Sequence, residues 1–241
     1  MANLPNKENK AKYVQETFNS IASNYDLMSK LMTFGLDKFW RRLAVKYSEL
    51  KEGGTGLDIC CGTGMLTMEQ ARAAGPAGRI TGLDFSENMI AVARQNIMDF
   101  EFKDSIQFIQ GDAMSLPFED NVFDCATVGW GLRNVPDIHK AVQEMARVVK
   151  PGGKVISLDM AQPTVPVFRE FYWLCFNRVI PVMGKLFSGN KKAYNYLHDS
   201  AKAFVHQKEL AGIFAQAGLV ETRYLNLCGG VVAIVEGRKP V

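Results

Sequence analysis

The chain has 241 residues, 47% hydrophobic and 22% charged, with a formal net charge of +3. That balance suits one α/β domain and excludes a disordered chain, and so small a charge, with no stripe of Lys and Arg, argues against a nucleic-acid partner. Five cysteines (Cys60, Cys61, Cys125, Cys175, Cys228) are odd in number and form no C-x-x-C pair, so a reducing compartment is expected, with no zinc site, no disulfide framework and no metal.

The first residues, Met1 to Glu8, lack a signal peptide's apolar core, and nowhere is there the run of about eighteen apolar residues that spans a bilayer. A cytoplasmic protein is expected, with a peripheral membrane role open. Val14, Phe18, Ile21, Tyr25 and Met28 recur at steps of four and three, which predicts an amphipathic helix from about Tyr13 to Ser23 running into Tyr25 to Met28. A second helical stretch covers Phe39 to Val45. Both precede the first strand, so they are expected to lie as a cap over a ligand edge.

That edge is announced by Thr55 to Met65, Thr-Gly-Leu-Asp-Ile-Cys-Cys-Gly-Thr-Gly-Met. A short apolar strand, Leu57 to Cys60, breaks into a glycine loop, and Leu66 to Arg72 reads as the following helix. Gly62 and Gly64 let a ligand approach the backbone, and amides at the helix start point toward it. Thr67 stands where a dinucleotide fingerprint needs its third glycine, which disfavours a nicotinamide oxidoreductase. Asp84 closes a second strand, Arg79 to Leu83, about twenty residues past Gly64, where a carboxylate grips a ribose diol. Asp112 closes a third strand, Ile106 to Ile109. Three acidic strand ends, Asp58, Asp84 and Asp112, repel a pyrophosphate and attract a cofactor carrying an ammonium, a ribose and an adenine. S-adenosylmethionine is that cofactor; taken singly, each aspartate reads as a helix N-cap or turn residue.

Strands and helices then alternate. Ser86 and Asp137 are expected to cap helices, the second from Ile138 to Val149; Phe123 to Val128 and Lys154 to Leu158 are strands, the latter after a Pro151-Gly152-Gly153 turn. Such alternation predicts a parallel sheet with helices on both faces. Phe168, Phe171, Tyr172, Cys175, Phe176, Val179 and Ile180 share a helical face that reads as docked on the core or as an apolar wall for a greasy substrate. A helix from Lys208 to Ala217, stopped by Gly218, and two strands, Leu219 to Tyr224 and Gly230 to Glu236, complete the chain as an expected antiparallel pair.

Five blocks carry a resemblance: Tyr25-Asp26-Leu27-Met28-Ser29, Asp58-Ile59-Cys60-Cys61-Gly62-Thr63-Gly64, Gly131-Leu132-Arg133-Asn134-Val135, Arg147-Val148-Val149-Lys150-Pro151-Gly152-Gly153 and Gly229-Gly230-Val231-Val232-Ala233-Ile234. Together they resemble the menaquinone/ubiquinone biosynthesis C-methyltransferases, over about Tyr13 to Lys239. The resemblance implies a Rossmann-like class I methyltransferase fold with a seven-stranded, mostly parallel sheet. It divides one domain into a helical cap (1–50), a cofactor-binding core (51–160), a substrate-side helical insertion (161–205) and a C-terminal helix with a strand pair (206–241). It implies methyl transfer from S-adenosylmethionine to a ring carbon of a polyprenylated quinol, demethylmenaquinol before the ubiquinone-pathway benzoquinol, with a peripheral membrane contact and a homodimer admitted. By matching position, Tyr25, Thr63, Asp84, Asp112, Ala113 and Gly129 contact the cofactor, Asp84 on the ribose hydroxyls and Asp112 with the Ala113 amide at the adenine edge, which Met89 flanks. Ser29, Asp37, Met65, Asp159, Ala161 and Val205-His206 depart from the family's usual residues, mainly on the substrate side; these departures also admit a protein that binds the cofactor without catalysis.

A ring carbon becomes a good nucleophile once an adjacent hydroxyl loses its proton, so the site needs a base or a cation that favours the phenolate. Arg133 is the first candidate for that role and Asn134 for orienting the quinol oxygen; the bland reading of Arg133 is a salt bridge to a strand-end carboxylate. His198 and His206 are candidate bases or partly buried polar residues, and His139 reads as a surface residue.

Overall fold

Leu57 and Ile59 have no exposed surface, because β1 (Thr55–Ile59) is an interior strand of a sheet covered on both faces. The structure, a computed structural model, describes residues 7–170, 172–174, 178 and 191–241, without the side chains of residues 7, 8 and 191–194. Around β1 are β2 (Arg79–Asp84), β3 (Ile106–Gln110), β4 (Phe123–Gly129), β5 (Val149–Met160), β6 (Val220–Leu227) and β7 (Val232–Arg238). The sheet order is β3-β2-β1-β4-β5-β7-β6, parallel except that β7 runs antiparallel to both its neighbours. The expected seven strands and terminal antiparallel pair are therefore present. Strand order reverses between β1 and β4, which opens a crevice at their carboxyl ends.

Helices cover both faces. On one, Val142 and Met145 of α6 (Ile138–Val148) and Leu210 and Phe214 of α8 (Gln207–Gln216) join Leu57, Val128 and Val155 in the main core. On the other, Trp40, Ala44 and Val45 of α3 (Leu36–Ser48) pack on Ile156, Leu158 and Ile234. Both expected caps form. Ser86 Oγ accepts the Met89 N–H at 3.1 Å to start α5 (Glu87–Asn96), and Asp137 Oδ1 accepts the Lys140 N–H at 3.1 Å to start α6. Gly218, at φ +86°, ends the turn after α8 as expected.

Three expectations are revised. The N-terminal helix is longer, α1 (Lys7–Ile21), and a 3-10 turn, Ala22–Asn24, leads into α2 (Tyr25–Met32). Pro151-Gly152-Gly153 does not precede β5 but bulges within it: Gly152 takes φ +79°, and a Cβ on Gly153 would sit 2.5 Å from the Asp124 carbonyl oxygen. A helix the pattern did not predict, α7 (Lys191–Ala203), crosses the segment before α8. Of the apolar helix expected from Phe168 to Ile180, residues 168–170, 172–174 and 178 are described and are helical, the rest of the span lies outside the described residues, and the Phe168 ring closes over Gly229.

Candidate active site

The glycine loop leaves β1 through Cys60 at φ +54° and Gly62 at φ +55°, then enters α4 (Met65–Ala74) from Gly64 at φ +82°. A Cβ on Gly62 would meet nothing within 4 Å, so this peptide lies bare toward a cavity. Gly64 is different: a Cβ there would strike the Phe108 ring at 2.8 Å, so its glycine serves close packing.

Asp84 braces the loop. Its Oδ2 accepts the Gly62 N–H and its Oδ1 the Ser86 N–H, both at 2.8 Å. Burial raises its pKa, and these amide bonds, which favour the charged form, oppose that. Asp112 Oδ1 accepts the Met114 N–H at 2.8 Å, and among the described residues no protein donor meets its other oxygen. Tyr25, Gly62, Asp84, Met89, Asp112, Ala113, Gly129 and Asn134 all line the same cavity, as do Trp130 and Gly131.

Asp58, Thr63, Gly64 and Arg133, also expected at the site, are not among the residues that line it. Asp58 is fully buried under the loop, with its carboxylate taking hydroxyl bonds from Thr67 at 2.6 Å and Thr127 at 3.2 Å. Burial pushes its pKa up to about 7, against the pull of the two hydroxyls. It is therefore a buried acid holding β1 to α4 and β4. The Thr63 hydroxyl donates to Asp26 Oδ1 at 2.5 Å, tying the loop to α2 instead of facing the cavity.

Arg133 sits on the 3-10 turn Leu132–Asn134 with Nη1 donating to Asp159 Oδ1 at 2.9 Å and to the Trp130 carbonyl at 2.7 Å. The bland salt-bridge reading is thus the observed one, and Asp159 is the strand-end carboxylate. Burial penalises both charges; Asp159, Tyr25 and Tyr196 together outweigh this for the guanidinium, whose pKa rises, while the Asp159 carboxyl also stays above its usual range. Arg133 Nε and Asp159 Oδ2 are buried and have no hydrogen-bond partner. Asn134, in front, donates to the Trp130 carbonyl at 3.1 Å and accepts from the Tyr196 hydroxyl at 3.0 Å. Tyr25 lies within the field of Arg133 and Asp159, and burial raises its phenol pKa.

The helical cap lies where it was expected. Lys10 Nζ donates to the Val135 carbonyl at 2.8 Å, Gln15 to the Phe85 carbonyl at 3.2 Å and Ser86 Oγ to Asn19 Oδ1 at 2.6 Å, so α1 spans the cavity from the β4 side to the β2 side. Val14, Gln15 and Phe18 supply its roof. Val14 and Phe18 belong to the apolar stripe that the sequence placed as a cap over the ligand edge. Tyr196 was missed because α7 was. The histidines stand apart from the cavity: His206 Nδ1 caps α8 by accepting the Lys208 N–H at 3.1 Å, and His198 meets Asp199 at 2.9 Å. No group of three metal-ligating side chains occurs among the described residues.

Solved structures at low identity show the same fold. A SAM-dependent methyltransferase from Aquifex aeolicus superposes with a TM-score of 0.61 at 18% identity, covering 84% of this chain and 90% of that one. The [4+2]-cyclase SpnF gives 0.65 at 18%, covering 99% and 98%, so the fold alone does not fix the chemistry. Sequence similarity is closer. The demethylmenaquinone methyltransferase of Desulfitobacterium hafniense (strain Y51) is 62% identical over 233 residues, 97% of this chain and 92% of that one. The demethylmenaquinone methyltransferase of Bacillus subtilis (strain 168) is 44% identical, over 97% and 100%. The sequence profile of the ubiE/COQ5 methyltransferase family matches residues 6–239, and with that span and those identities the chain belongs to this family and is a methyltransferase.

Proposed function

We propose that this enzyme transfers the methyl group of S-adenosylmethionine to a ring carbon of a polyprenylated demethylmenaquinol. The observation that carries this reading is one cavity joining the Gly62, Asp84 and Asp112 cradle to the Asn134 wall, with Arg133 behind it. The names of the relatives at 62% and 44% identity support the ring.

The residues fit the cofactor. Asp84 keeps acceptor capacity for a ribose diol beyond its two amide bonds, Asp112 and Ala113 of the cavity lining would hold the adenine edge, and bare Gly62 would admit the close approach of the amino-acid end. When bound, S-adenosylmethionine supplies an electrophilic methyl on a sulfonium. The chain's own part is to hold the ring carbon in line with that methyl, which by effective molarity removes several kcal/mol of barrier. The apolar roof of Val14 and Phe18 keeps water from the cationic sulfur. Asn134, fixed by Tyr196 and the Trp130 carbonyl, presents its remaining N–H to a quinol oxygen. Arg133 acts one layer back as a permanent positive charge favouring the phenolate, and it does not take the proton.

The prenyl tail of such a substrate belongs in a bilayer, and no described helix is long and apolar enough to cross one. The enzyme therefore meets its substrate as a peripheral protein, on the cytoplasmic face. Expression in a bacterial strain lacking its own quinone C-methyltransferase, followed by mass spectrometry of the quinones, tests the reading. Return of methylated menaquinone is expected. Methylation of the benzoquinol alone, or of neither ring, overturns it.

A further inference from the structure

The connection between α2 and α3 exposes apolar residues that the fold does not need. Phe34 is 93% exposed, Phe39 59% and Leu27 58%, and Leu31 and Leu36 are also exposed. Leu27 and Leu31, four apart, share one face of α2, Phe34 stands in the turn just after it at φ +51°, and Met28 is the residue that α2 buries. In α3 the inward face is Asp37, Arg41, Ala44, Val45 and Ser48, which leaves Leu36 and Phe39 pointing away from the sheet.

The charge around these residues has one sign. Lys30, Lys38, Arg42 and Lys46 are exposed among them, and among the described residues only Arg42 of these four has a carboxylate within reach, Glu69 at 3.4 Å. Both carboxylates from Asp26 to Lys46 are already used: Asp26 accepts from Thr63 and Asn96, and Asp37 is buried against Arg41 at 2.5 Å. The corner also stands at the carboxyl edge of the sheet, beside the cavity, because Asp26 holds the glycine loop and Arg41 lies 5.0 Å from the Trp130 ring centroid.

We propose that this α2–α3 corner is the surface by which the protein docks on an anionic phospholipid membrane. Apolar side chains at the tip with cations around them match the two requirements of an interfacial anchor, acyl-chain burial and attraction to anionic headgroups. A second copy of the chain is the poorer occupant, since a two-fold contact through this patch sets its cations against their own copies. The inference rests on the polyprenyl quinol reading, because docking beside the cavity shortens the path of a bilayer-held ring to Asn134.

Sedimentation with phosphatidylcholine vesicles, with and without phosphatidylglycerol, tests it on the full-length enzyme. The wild type should pellet with the anionic vesicles and not with the zwitterionic ones. Phe34→Ser with Phe39→Ser should weaken vesicle binding roughly tenfold or more, as should Lys30→Glu with Lys38→Glu. All these side chains are exposed, so thermal midpoint and S-adenosylhomocysteine affinity should not move. Both variants should methylate a short-chain, water-soluble demethylmenaquinol as fast as wild type but lose turnover of a long-chain quinol held in vesicles. A wild type that ignores anionic vesicles, or variants that bind them fully, overturns the docking surface. A wild-type dimer that the same variants dissociate also overturns it and makes the corner a subunit interface. Failure of the wild type on the soluble quinol, with vesicle binding intact, counts against the substrate reading and leaves the docking surface standing.

Discussion

Strand β5 carries two buried ion pairs, and they are satisfied very differently. Toward its amino end, Lys154 Nζ meets Glu236 at 2.8 Å and Glu49 at 2.7 Å, while Arg223 reaches Glu236 and Arg238 reaches Glu49 at 3.1 Å, so every charge is shared. Near its carboxyl end, Arg133 and Asp159 make one bond to each other and leave a donor and an acceptor buried without partners. A closed network of this kind fastens β7 and the end of α3 to the sheet. An incomplete pair behind a cavity is where a polar ligand or an ordered water is wanted, because buried polar atoms are otherwise nearly always paired. The same strand thus supports the fold at one end and the chemistry at the other.

The largest expected effect tests the supporting end. Glu236→Ala should cost about 3–5 kcal/mol in urea denaturation, because Lys154 is left buried with one half-exposed partner; the rate of the folded fraction should not change. A loss near zero would mean that Glu49 alone suffices for Lys154. Next comes a buried acid with no cation bonded to it. Asp58 holds its proton up to about pH 7 in the folded chain but sheds it at the ordinary carboxyl pKa of about 4 when unfolded. Folded protein binds the extra proton in that window, so stability should fall as pH rises from about 4 to 7, by up to about 4 kcal/mol, and level off above. Asp58→Asn should flatten the slope, and melting points across the range would reveal it. An unchanged slope would assign the proton to another group.

At the chemical end, Arg133→Ala should lower the methyl-transfer rate by roughly 10²–10³-fold, the usual cost of removing a group that stabilises developing negative charge. Cofactor affinity should hold, because Arg133 is behind the cavity wall and Asp159, whose pKa is already raised, can accept a proton when its partner leaves. Parallel collapse of rate and affinity would move this pair to the structural side of the comparison. The smallest effect is on binding. Asp84→Ala should weaken S-adenosylhomocysteine by about 1–3 kcal/mol in calorimetry, for the lost diol bonds and the loosened Gly62 amide.

Much of this was legible in the residues. Glycine positions, Ser86 and Asp137 as caps, and apolar runs such as Leu57 to Cys60 are local signals, and the sheet, its parallel run and the α1 cap followed from them. Misreadings occurred where burial was decisive. Asp58 looked like a third ligand carboxylate, yet its register partner on β4 is Thr127 and α4 brings Thr67 over it, so it faces inward. Arg133 had two readings, a cation at the site and a salt bridge to a strand-end carboxylate, and the turn Leu132–Asn134 aims it at Asp159. The helix α7 is amphipathic, but its own sequence does not say that Tyr196 meets Asn134, 62 positions away.

By itself the sequence determined the order of strands and helices, the glycine loop and the acidic strand ends, since propensity, capping and backbone freedom act over a few neighbouring residues. Tertiary structure decided which charges see the cavity. Arg133 meets Asp159 across 26 positions, Asn134 meets Tyr196 across 62 and Ser86 meets Asn19 across 67. A side chain's solvation and partners are set by such distant contacts, and no local pattern encodes them.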